Sequence, residues 1–71
     1  MPSARAEELR RIAIKLGFRK TRQTGSHERW KHPDGRSTTI PIHGGRDIGP
    51  PLLYRILNQL GIDEDDLNRL R

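Results

Sequence analysis

The apolar residues of this chain gather at its two ends in helical spacing, and the stretch between them reads with a period of two. Ala6, Leu9, Ile12, Ala13 and Leu16 form one stripe, and Leu52, Leu53, Ile56, Leu57 and Leu60 the other. Residues three and four apart share one helix face, so each stripe has to be buried against something. The alternating middle is what remains for them to cover. Local signals fit that division. Ser3 suits an N-cap, with Glu7 and Glu8 in the first turn, and Gly17 ends the first helix. Residues 18–23 predict a strand containing Phe18, and Thr24-Gly25-Ser26 a tight connection. His27 to Lys31 predicts a second strand, with Glu28 and Trp30 on one face and His27, Arg29 and Lys31 on the other.

His32-Pro33-Asp34-Gly35 has the composition of a β-turn. Arg36 to Ile42 then predicts a third strand, with Thr38, Ile40 and Ile42 on one face and Ser37, Thr39, Pro41 and His43 on the other. Pro41 has no N–H for a ladder, which places this strand at an edge or a bulge. Gly44 to Gly49 reads as a flexible loop carrying Arg46 and Asp47, Pro50 and Pro51 open the second helix, and Gly61 closes it. Asp63, with Asp66 three positions on, caps a short last helix. The expected fold is α+β in the order α-β-β-β-α, one domain over residues 1–71, with a three-stranded antiparallel sheet and both helices on one of its faces. His27, Arg29 and Lys31 then lie on the open face.

Composition narrows the partners. The chain has 71 residues, 14 Lys and Arg against 9 Asp and Glu, and no cysteine. Disulfides and thiolate metal sites are excluded. No apolar run approaches a membrane span and no signal-peptide core is visible, so a cytoplasmic location is the default expectation. Residues 1–60 carry a net charge of +7 and residues 61–71 a net −2, and 11 of the 14 cations are Arg. The planar Arg fork suits phosphate oxygens, and a basic body of this size favours a polyanion such as RNA.

RNA carries its own nucleophile, the 2′-hydroxyl next to each phosphate. One imidazole titrating near neutrality is suited to deprotonate it, and nearby cations such as Arg29, Lys31 and Arg22 to stabilise the charge that develops. The residues alone leave His27 between that role and an exposed strand histidine with no chemistry. A Ser26–His27 nucleophile–base pair is not expected, because neighbouring strand residues point to opposite faces and no third orienting group is evident. His32 reads as a turn residue; His43 is divided between loop packing and a role at RNA, as a contact or as donor of the leaving-group proton. The histidine separations of 5 and 11 fit no common zinc pattern, so neither a metal nor another cofactor is expected. Trp30 reads as core rather than as a platform for a base. The Gly44-Gly45-Arg46 loop precedes a helix start able to hold a phosphate, although Pro50 and Pro51 remove two donors there.

Gly17-Phe18, Gly25-Ser26-His27, Trp30, His32-Pro33-Asp34-Gly35, Pro41 and His43-Gly44-Gly45-Arg46-Asp47 occur in that order, followed by Ile56-Leu57 and Gly61. In these motifs and their spacing the chain resembles the HicA/YcfA family of bacterial mRNA interferase toxins. The resemblance implies a fold like a double-stranded-RNA-binding domain, metal-independent mRNA cleavage and neutralisation by an acidic HicB-type antitoxin. It also implies catalysis by the histidine after the Gly-Ser pair, here His27. The RNA-contacting residues expected beside it are Arg22, Gly25, Ser26, Arg29, Lys31, Arg36 and Arg46, with Arg19 as a further phosphate contact. Three positions depart from the family pattern: Glu28 replaces a common second histidine, Lys20 an apolar strand residue, and Pro51-Leu52 a Gly-Thr pair. A non-catalytic RNA-binding module of the same fold is the alternative, and a purely protein-binding domain the third.

Overall fold

A computed structural model describes residues 2–42 and 44–71. Its elements are β1 (Ala4–Arg5), α1 (Ala6–Lys15), β2 (Arg19–Thr24), β3 (His27–Lys31), β4 (Ser37–Pro41), β5 (Asp47–Ile48), α2 (Leu52–Leu60) and α3 (Glu64–Leu70). Strands β2, β3 and β4 form an antiparallel sheet with β3 in the centre. The α+β layout expected from the sequence is therefore present, with the short third helix.

Both amphipathic stripes do what their spacing requires. Leu9, Ile12 and Ala13 of α1 and Leu53, Ile56, Leu57 and Leu60 of α2 are buried with Phe18, Trp30 and Ile40 in one cluster, closed by Leu67 of α3. Each fully buried Leu or Ile contributes about 1.5–3 kcal/mol relative to an exposed one, so these side chains dominate the stability of a small domain. Both long helices end in a glycine at positive φ, Gly17 (94°) and Gly61 (82°). In each case the next two N–H groups reach back: Phe18 to the Ala13 carbonyl and Gly17 to Ile14, Ile62 to Leu57 and Gly61 to Asn58. This Schellman pattern satisfies carbonyls the helix leaves open and turns the chain toward the sheet. Asp63 and Asp66 cap α3 reciprocally, each accepting from the other's backbone N–H at 2.9 and 3.1 Å.

Four expectations change. The first helix does not start from Ser3; Arg5 occupies the N-cap, its N–H donating to Glu8 Oε1 at 2.9 Å. The cause is tertiary: Ala4 and Arg5 are drawn into an antiparallel pair with Ile48 and Asp47. The same pairing corrects the second expectation, because the supposed flexible loop of residues 44–49 contains β5, with Ile48 buried. Phe18 is buried but precedes β2, which runs one residue later than expected. The third strand is shorter, losing Arg36 and Ile42. Pro41 ends β4, which is an edge strand. His43, expected on the same face as Thr39, lies outside the described residues.

Candidate active site

Strand β3 fixes the site. Its burial alternates without a break: Glu28 and Trp30 are buried, and His27, Arg29 and Lys31 are exposed. Antiparallel partners share a face, so the register names the neighbours of the exposed set. Thr24 and Pro41 flank His27, Arg22 and Thr39 flank Arg29, and Arg19 and Ser37 flank Lys31. Arg22 reaches this face through an irregularity. The β2–β3 register shifts between Lys20 and Arg22, leaving Thr21 as an extra residue. In an unbroken ladder Arg22 would oppose Glu28 on the helix side. The bulge moves it opposite Arg29, which is how bulges re-aim side chains near functional sites.

Two like-charged pairs therefore face each other directly, Arg22 with Arg29 and Arg19 with Lys31. Such pairs destabilise a sheet unless an anion lies between them. Thr21, Arg22 and Thr24 from β2, His27, Arg29 and Lys31 from β3, and Thr39 from β4 line a shallow groove of about 410 Å³. Arg29 is held in place within it. Its two Nη groups donate to Thr39 Oγ1 at 3.1 Å and Ser37 Oγ at 2.9 Å, two neutral acceptors that leave its charge uncompensated. A preorganised guanidinium of this kind stabilises an oxyanion with little reorganisation.

A search against protein families matches residues 6–62 to the HicA toxin of bacterial toxin–antitoxin systems. The chain belongs to the HicA toxin family. No curated protein matches it. As a HicA toxin it is the toxin member of such a pair and has an antitoxin partner. No described helix is long and apolar enough to cross a membrane.

The other expected contacts divide. Gly25 and Ser26 form the exposed β2–β3 turn beside His27, and the Ser26 carbonyl accepts from Ile42 N–H at 2.6 Å. Arg36 does not line the groove. Its guanidinium bonds Asp34 at 2.8 Å and the Leu60 carbonyl at 2.6 Å and lies over the Phe18 ring, so it ties the β3–β4 turn to the end of α2. The Arg36 backbone N–H and guanidinium both hold the Asp34 carboxyl below its ordinary pKa. Arg46 is exposed in the connection to β5 and is not among the groove residues. His32 accepts from Asp34 N–H at 3.0 Å and packs edge-on to Phe18, as a turn residue does.

Two departures from the HicA pattern prove to be partners. Glu28 points away from His27 into the helix layer, where Arg10 lies at 3.2 Å, Lys20 at 3.6 Å, and Trp30 Nε1 donates at 3.2 Å. Lys20 opposes Trp30 on that side, so the two residues expected to depart from the family pattern form an ion pair with each other. Thr39, Ser37 and the Thr21 bulge were not legible as site features, because each depends on cross-strand register. Only the hydroxyl-rich run Ser37-Thr38-Thr39 hinted at the first two.

Proposed function

We propose that this HicA toxin is a metal-independent endoribonuclease that cleaves mRNA through attack of the RNA's own 2′-hydroxyl. His27 acts as general base and takes the 2′-hydroxyl proton; as the 2′-oxygen bonds to phosphorus the P–O5′ bond breaks, and the 5′-oxygen leaves with a proton drawn from water. Arg29, fixed by Thr39 and Ser37, and Arg22 and Lys31 take the phosphate whose charge grows in the transition state. The observation that carries this reading is the pairing of like charges, Arg22 against Arg29 in the groove that His27 lines and Arg19 against Lys31 beside it on the same face. A surface histidine with no chemistry needs no such electrostatic cost around it. Positioned proton transfer contributes typically about 10²–10⁴-fold, and an oxyanion donor a comparable share, enough for a reaction whose nucleophile is already in the substrate.

An acidic HicB-type antitoxin is the partner we assign to the same face, since a basic groove attracts an acidic inhibitor quickly and covering His27 stops cleavage. The direct test is incubation of purified protein with a model mRNA in excess EDTA. Cleavage should persist and leave 2′,3′-cyclic phosphate ends. Products with 5′-phosphates, or loss of activity on chelation, would reject the mechanism. Binding without cleavage would select the non-catalytic RNA module instead.

A further inference from the structure

A second groove, of about 330 Å³, runs from the sheet face over the edge of β4 to helix α2. It shares His27, Arg29 and Thr39 with the cationic groove, so the two are one continuous surface. Their chemistry differs. The first is lined by cations and hydroxyls; the second adds Pro41, Leu52 and Ile56 on its apolar side and Arg55 and Gln59 as polar groups. We infer that this groove seats one unstacked base of a single-stranded RNA, that of a nucleotide adjoining the phosphate held at Arg29. The inference rests on the RNA reading of the sheet face and adds to it a subsite for the base.

The size and lining suit a base. Ligand sites combine apolar walls with a few placed polar groups, and an unstacked RNA base offers a flat apolar face and a hydrogen-bonding edge. Exposed Arg55 brings a planar guanidinium that stacks on a base as readily as it pairs with a phosphate. Gln59 is oriented from behind. Thr38, fully buried, donates its hydroxyl to Gln59 Oε1 at 2.7 Å, which occupies the carbonyl end and leaves the amide nitrogen as the outward group. The groove therefore presents the Gln59 amide as a donor to the base edge, with Arg55 placed to lie over its face. That arrangement favours a base edge carrying acceptors, and it requires a base free of a duplex, because a base in a helix keeps its flat faces stacked on its neighbours and its Watson–Crick edge paired. A phosphate-only ligand would have no use for Pro41 and Leu52.

The test separates base from backbone. A short 2′-O-methyl oligonucleotide, which cannot be cleaved, is compared with an abasic chain of the same length. Wild-type protein should bind the base-bearing chain at least about 5-fold more tightly, the low end of what base stacking contributes. Arg55→Ala and Gln59→Glu should each shrink that ratio toward one. The glutamate keeps an acceptor for Thr38 while replacing the outward donor, and circular dichroism checks the fold of both variants. An equal affinity for the two chains, or a ratio unmoved by either substitution, overturns the subsite. So does a variant that weakens the antitoxin complex but leaves the ratio intact, since the groove would then belong to the protein partner. Failure of the cleavage reaction itself would reject the catalytic reading without touching this ratio.

Discussion

The two faces of strand β3 carry charge in opposite ways. On the helix side one carboxylate, Glu28, gathers Arg10, Lys20 and the Trp30 N–H around itself, and every charge has an opposite neighbour. On the open side Arg29 and Lys31 each oppose another arginine, and Arg29 is held by hydroxyls that do nothing to its charge. Residues 27 to 31 are adjacent in sequence, so composition cannot separate these two environments. Only the alternation of the strand does. The lesson is that a satisfied cluster marks structure, whereas a cluster of like charges held in fixed geometry marks a place where something anionic is meant to complete it.

The sharpest way to break this contrast is at His27. His27→Ala should lower the rate of mRNA cleavage by roughly 10²–10⁴, the share of a positioned general base. Stability should change by no more than about 0.5 kcal/mol, as for other exposed substitutions. Normal cleavage by this variant would end the catalytic assignment. Unfolding would mean that the imidazole holds the fold rather than the substrate.

The opposite pattern is expected across the strand. Glu28→Gln keeps an acceptor for Trp30 but removes the charge that Arg10 and Lys20 share. Those two side chains are 42% exposed and rehydrate readily, which limits the loss, although Glu28 itself is only 4% exposed. A cost of about 1 kcal/mol follows, seen as a fall in Tm of about 4–8 °C for a domain of this size. Thermal melting followed by circular dichroism measures it, and an unchanged Tm would show that the cluster is ornamental.

Thr39→Val sharpens the open side more finely. It removes one of the two hydroxyls that hold Arg29 and keeps the side-chain shape. This bond is charge-assisted, worth about 1.5–3 kcal/mol where buried and less at this partly exposed position, so cleavage should fall about 2- to 10-fold while RNA affinity, carried by several cations, moves less. An equal fall in affinity and rate would mean that Thr39 contacts RNA itself rather than positioning Arg29.

Much of this arrangement was legible before any coordinates. The helical stripes, the central strand and its two faces follow from residue spacing, because burial of one face is the strongest constraint on a short strand. The β1–β5 pair was not legible, since two-residue strands carry no periodicity and Ala4-Arg5 and Asp47-Ile48 are far apart in sequence. Nor was the bulge that turns Arg22 toward Arg29, because nothing in Lys20-Thr21-Arg22 marks an extra residue. That Arg36, expected among the RNA contacts, is engaged within the fold and does not line the groove was not legible for a related reason. Its charge is visible in the sequence, but Asp34, Phe18 and the Leu60 carbonyl that engage it are brought together only by the fold.

The division of labour across β3 is tested most directly by measuring cleavage rate and Tm on the same preparations of His27→Ala and Glu28→Gln. The account requires a crossed result at a temperature where both are folded: His27→Ala keeps its Tm and loses cleavage, and Glu28→Gln keeps cleavage and loses Tm. Loss of cleavage in folded Glu28→Gln, or its retention in His27→Ala, would contradict the placement of the chemistry on the open face.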